Sequence, residues 1–126
     1  MSKLKRSIQE CMSDLSGGPE HTLTANFIFP DNFLGFNGHF PGKPILPGVC
    51  KVQAVIAMLE SSKNKYILLK EVVLAKFFSP VTCNEKIDFN LEEKAEPNGD
   101  ILVKTMITKA EKKIAEIHLR IAVTDK

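Results

Sequence analysis

The sequence predicts an α+β domain in which an antiparallel sheet wraps around one buried helix. Three observations carry that expectation. The run from Gly48 to about Ser61 has apolar residues at helical spacing and almost no charge. The segments after it alternate apolar and polar residues, the period of half-buried strands. Pro97-Asn98-Gly99-Asp100 puts a tight hairpin turn between two of those segments, because Asn and Gly accept the positive φ such turns need. One helix followed by consecutive hairpins is an α+β arrangement.

The elements follow in order. In residues 2–15, Leu4, Ile8, Cys11, Met12 and Leu15 fit a helical stripe, and Gly17-Gly18-Pro19 ends the segment in a turn. Residues 21–29 read as extended, with Leu23, Ala25, Phe27 and Phe29 alternating, and Pro30 stops them. Residues 31–47 form a loop rich in Gly, Pro and Phe with no element of its own. Loops of that length in compact domains are often functional. In the helix, Val49, Val52, Ile56 and Leu59 recur at spacings of three and four, and Val55 widens the stripe. Pro47 stands where a first turn tolerates proline. The only charges on the run are Lys51 near its start and Glu60 near its end, so it is expected to be buried on most sides. Strands are then expected over Tyr66 to Phe78, around Ile87, Phe89 and Leu91, and along Ile101, Val103, Thr105 and Ile107. Glu111-Lys112-Lys113 makes a second turn, and Ile117, Leu119, Ile121 and Val123 share one face of a last strand.

Composition bounds the function. The 126 residues suit one domain over 1–126. A hydrophobic content of 44% argues against disorder, and a net charge of +2 is too small to predict a nucleic-acid partner. The basic run Lys3-Leu4-Lys5-Arg6 reads as a solvated end. Cys11, Cys50 and Cys83 have no metal spacing and cannot all pair, which fits free thiols in a reducing cytosol. No apolar run reaches about 18 residues and the N-terminus lacks an apolar signal stretch, so a cytoplasmic protein is expected. No metal constellation, serine-hydrolase motif or phosphate loop is present in the sequence, and neither cofactor nor metal is expected. His21 beside a turn is expected to be exposed, and His118 to face away from the core near Arg120.

The chemistry concentrates in residues 38–49, Gly-His-Phe-Pro-Gly-Lys-Pro-Ile-Leu-Pro-Gly-Val. Pro41, Pro44 and Pro47 fix φ and stiffen this stretch, while Gly38, Gly42 and Gly48 let it turn. His39 is its one ionisable group apart from Lys43, and an imidazole so held can act as a general base near neutral pH. A histidine that merely hydrogen-bonds within the loop is the plainer alternative. At Gly48 a helix begins, and its first amides have no internal acceptor and lie at the positive end of the dipole. A glycine that only opens the helix and packs closely is the alternative there.

This twelve-residue run resembles the signature of the β-hydroxyacyl-acyl carrier protein dehydratases of fatty acid synthesis. The similarity extends over most of the chain: residues 27–60 resemble the family's loop and central helix, and 66–123 its later strands. The resemblance implies a hotdog fold that binds acyl thioesters through Gly38 to Pro44. It favours a strand over the helical stripe for residues 6–15. It implies that His39 abstracts the C2 proton and that the Gly48 amide holds the thioester carbonyl and stabilises the enolate-like charge. Phe33, Phe36, Phe40, Pro47 and Val49 are the implied acyl contacts. The implied partner is acyl carrier protein, an acidic protein that basic residues near the tunnel mouth would steer; Lys43, Lys51 and Lys76 are the candidates, and a merely solvated face is an equally good reading of each.

The pattern breaks on the helix. The family's carboxylate position is Gln53 here, and a glutamine expected one turn later is Ala57. An amide orients a hydroxyl or water but is no ordinary acid, and losing a general acid costs about 10²- to 10⁴-fold in rate. Glu60 lies roughly 10 Å further along the helix, and Asp31 and Glu71 serve only if the fold brings them close. Since the family builds its site between two subunits, a partner chain is another source of the acid. Three functions follow: a dehydratase-like enzyme on 3-hydroxyacyl thioesters, with Gln53 orienting the 3-hydroxyl; an impaired acyl-binding or partner subunit of a hotdog heterodimer; and, with less weight, an acyl thioesterase. Self-association through sheet edges, as two, four or six copies, is expected in each.

Overall fold

The computed structural model describes residues 2–36 and 44–126. The order is α1 (Lys3–Glu10), β1 (Met12–Gly17), β2 (Thr22–Ile28), α2 (Gly48–Lys63), β3 (Tyr66–Phe77), β4 (Lys86–Ala95), β5 (Ile101–Lys109) and β6 (Lys112–Thr124), with a 3-10 turn at Leu34–Phe36. The strands form one antiparallel sheet in the order β1-β2-β4-β5-β6-β3. Helix α2 lies in the curve of this sheet, so the hotdog fold expected from the sequence is what the chain adopts.

The period-two alternation explains the packing. Leu23, Ala25 and Phe27 of β2, Ile87, Phe89 and Leu91 of β4, Val103 and Ile107 of β5, and Ile117, Leu119 and Ile121 of β6 are all buried. Against this surface α2 buries ten of its sixteen residues, Cys50 to Val52 and Ala54 to Glu60. A helix buried so completely has no polar face, which is why its sequence carries almost no charge. Each large apolar side chain removed from water there contributes about 1.5–3 kcal/mol. Asn64 ends the helix in the left-handed region, with φ 52°, its N–H donating to the Glu60 carbonyl at 2.9 Å.

Several sequence expectations change in detail. The first segment is neither all strand nor all helix. The helical stripe holds for Lys3–Glu10, where the Ser2 hydroxyl caps the first turn by accepting from the Lys5 N–H at 3.1 Å and Ile8 is fully buried. The strand favoured by the family resemblance begins only at Met12. The loop after β2 contains the short turn at Leu34–Phe36, so it is not wholly without structure. The second hairpin turns at Ala110 and Glu111, both at positive φ, while Lys112 and Lys113 already belong to β6.

Candidate functional site

The expected site residues His39, Phe40 and Lys43 lie outside the described residues. The described limb that follows them is tightly anchored. Leu46 is buried, and its N–H donates to the Val81 carbonyl at 2.8 Å. Pro47 then caps α2 with extended backbone and no side-chain hydrogen bond to the first turn. Cys50 N–H returns to the Pro47 carbonyl at 3.0 Å. The two amides before it, of Gly48 and Val49, belong to the donors that a helix start leaves without an intrahelical acceptor.

Gly48 is half-buried, and the ring of Phe77 from the end of β3 lies against it. A Cβ added at position 48 would sit 2.9 Å from Phe77 Cζ and 3.2 Å from Cε2. Close packing is therefore a sufficient reason for glycine at this place, and the availability of its amide is a second property of the same residue. Val49 is 61% exposed. Gln53, one turn on, is the one residue between Cys50 and Glu60 that is not buried. Val49 and Gln53, four apart, share a stripe of α2 that this chain leaves open.

Of the alternative acids, Glu60 and Glu71 are committed elsewhere. Glu60 sits about 18 Å along the helix from Gly48. There its carboxylate pairs with Lys5 at 2.8 Å and accepts the Ile67 N–H at 3.2 Å, tying α1, α2 and β3 together. Glu71 is roughly 20 Å along β3 from Phe77 and pairs with Arg120. Asp31 is exposed in the turn after β2.

Phe33 and Phe36 have core partners. Phe33 is buried, 4.8 Å from Phe29 and 5.5 Å from Phe36 between ring centroids, and its edge fills the space where a Cβ on Gly35 would lie. His21 is exposed with φ 61°. His118 faces outward on β6, its Nε2 2.8 Å from Glu116 Oε2. Lys76 is exposed, as steering would require. Lys51 is not: it is only 4% exposed, so it cannot meet an acidic partner in solution. Its Nζ lies 4.8 Å from the centre of the Phe77 ring and 3.5 Å from the Leu46 carbonyl. Burial pushes its pKa below the usual 10.5, with the Cys50 thiol acting weakly in the other direction. Burial likewise raises the Cys50 thiol, against the lowering effect of Lys51. Sequence reasoning missed Phe77 and the place of Lys51. The second had a signal, since a charge on a helix without a polar face has no solvated side to occupy.

Among the described residues no group of His, Cys, Asp and Glu could hold a metal, and no helix is long and apolar enough to cross a membrane. Cys11, Cys50 and Cys83 are free.

Comparison with known proteins agrees with this architecture. The chain is 41% identical over 70 residues to the 3-hydroxyacyl-[acyl-carrier-protein] dehydratase FabZ of Ehrlichia chaffeensis, which covers 50% of this chain and 48% of that protein. The chain thus matches about half the length of that relative. It is 30% identical over 108 residues to the FabZ dehydratase of a Wolbachia strain from Drosophila simulans, covering 80% of this chain and 74% of that one. The solved dehydratase heterocomplex ApeI:P from Xenorhabdus doucetiae superposes with a TM-score of 0.70 over 88% of this chain and 96% of that one, at 14% identity, which speaks to the fold. The family model described as ApeI-like, ApeI dehydratase, matches residues 16–117. With that match over most of its length, the chain belongs to the ApeI-like dehydratase family of hotdog proteins.

Proposed function

We propose that the chain dehydrates 3-hydroxyacyl thioesters carried on acyl carrier protein. The observation that carries this reading is the intact Gly38–Val49 segment running directly into an uncapped helix start, with Val49 and Gln53 on an open stripe beside it. The thioester carbonyl accepts from the Gly48 amide, at the positive end of α2, so charge that develops on that oxygen is stabilised. His39 takes the C2 proton. The electron pair left behind forms the C2–C3 double bond as the C3–O bond breaks. The departing hydroxyl takes the proton back from the His39 imidazolium and leaves as water. Gln53 cannot supply that proton; it orients the 3-hydroxyl by hydrogen bonding. Pro47, Val49 and Phe40 line the acyl chain, and Phe33 supports them from the core.

The working unit is an oligomer built on β3. Tyr66, Leu68, Val72, Val73 and Phe77 on this edge strand are exposed although large and apolar. Edges of this kind are normally covered.

Gln53 favours a second reading, a subunit that binds acyl chains or completes a partner's site. Gln53→Glu separates the two. If this chain has lost its acid, the variant gains dehydration by about 10²-fold or more. If the amide works in place, as proposed, the variant shows no gain over a measurable wild-type rate. Release of free thiol without an enoyl product would instead indicate hydrolysis.

A further inference from the structure

Lys51 breaks three physical rules at once. It is a cation in the first turn of a helix, where the dipole disfavours positive charge. It is 96% removed from solvent by its own chain, being 4% exposed. Its compensation is slight: a carbonyl at 3.5 Å, which is long for a hydrogen bond, and the face of Phe77. Among the described residues no carboxylate pairs with it, and residues 37–43 contain no Asp or Glu that could. The titratable group beside it is the Cys50 thiol. Leu46 and Phe77, which touch it from the neighbouring segments, are uncharged, and Lys76 next to Phe77 is exposed. A leucine or methionine here would be better for stability. Violations of this kind concentrate where function requires them.

The geometry says what the charge can do. A helical side chain leans toward the N-terminus, and Lys51 reaches back to Leu46, before the helix begins. The Phe77 ring that lies under its ammonium is the same ring that lies against Gly48. The charge thus sits dry beside the helix tip, where it adds to the field of the free amides. We infer that Lys51 is a positioning residue for the dehydration proposed above: its buried ammonium, held over Phe77 beside the start of α2, strengthens the stabilisation of negative charge at the Gly48 amide. The inference rests on that reading of the site. Since the charge matters most once the enolate oxygen forms, it acts on kcat rather than on substrate binding.

The test uses the full chain, a short 3-hydroxyacyl thioester, and the variants Lys51→Met and Lys51→Arg, with thermal unfolding measured alongside. The expected result for Lys51→Met is a fall in kcat of about tenfold or more with KM nearly unchanged, together with a higher Tm at neutral pH. Lys51→Arg keeps the charge and recovers most of kcat. In the unfolded chain Lys51 titrates at the ordinary 10.5, higher than in the fold. The cost of its buried charge is therefore full below the folded value and is relieved as pH rises from that value to 10.5. The Tm difference between wild type and Lys51→Met should narrow over that range, and wild-type kcat should fall there with an alkaline limb that Lys51→Met lacks. Unchanged kcat in Lys51→Met overturns the inference. So does loss of stability and activity together, which would make Lys51 a structural tie to Leu46. Absence of enoyl product from wild type overturns the dehydratase reading and this inference with it, whereas an active wild type with an equally active Lys51→Met overturns this inference alone.

Discussion

At Thr105 the chain buries a hydroxyl between Leu91 of β4 and Ile117 of β6, and among the described residues its Oγ1 finds no hydrogen-bond partner. An unmet buried donor costs about 1–3 kcal/mol, and valine has nearly the same shape. Thr105→Val is therefore expected to raise stability by about 1 kcal/mol, read as a Tm higher by several degrees; an unchanged or lower Tm would mean that the hydroxyl is satisfied. The alternation in β5 puts Thr105 on the inner face, so its position was legible in the sequence, but the missing partner was not. Nor was the contact of Phe77 with Gly48. The two are joined by the crossing of β3 to the far edge of the sheet, and nothing local in either segment encodes that meeting. His39 and Gln53 stand out as candidates for a different reason: a stiff run of prolines and glycines isolates one imidazole, and Gln53 falls where the resembling family carries its carboxylate.

At the level of elements, the β5–β6 hairpin turns through costly backbone. Ala110 (φ 47°) and Glu111 (φ 69°) both occupy the left-handed region that Asn and Gly adopt at lower cost. Replacing them by Asn and Gly should stabilise the fold by about 1 kcal/mol. Equilibrium unfolding in urea checks this, the midpoint rising at unchanged slope. The first hairpin shows the contrast. There Gly99 takes φ 90°, the Asn98 side chain accepts the Asp100 N–H at 3.0 Å, and the turn was readable from residue type alone. The second turn was misplaced by a residue or two because neither Ala nor Glu announces positive φ. The first segment misled for a related reason. Its apolar residues satisfy a helical stripe as far as Ile8 and remain compatible with a strand afterwards, so period alone could not divide it at Cys11.

Considered as a whole, the described residues leave the β3 edge of the sheet open. The exposed apolar residues of β3 are the surface that the proposed pairing of copies would cover, and Phe77 at its end reaches the start of α2. Leu68→Lys with Val72→Lys should therefore prevent the proposed pairing of copies, leaving monomers by sedimentation, and abolish turnover while leaving the strand content intact by circular dichroism. Monomers that remain fully active would separate the site from the edge. The sheet order explains why this surface was only partly foreseen. Alternation marks which residues face the core, but β3 is apolar along most of its length and gives no sign of which neighbour covers it. That β6 takes one side and leaves the other free follows from the whole topology.

The central claim is tested most directly by following a short 3-hydroxyacyl thioester by mass spectrometry with wild-type protein and His39→Ala. The account predicts loss of one water to give the enoyl thioester with wild type, and a rate lower by about 10²-fold or more with His39→Ala. Equal rates for the two proteins, or no enoyl product from wild type, would contradict it.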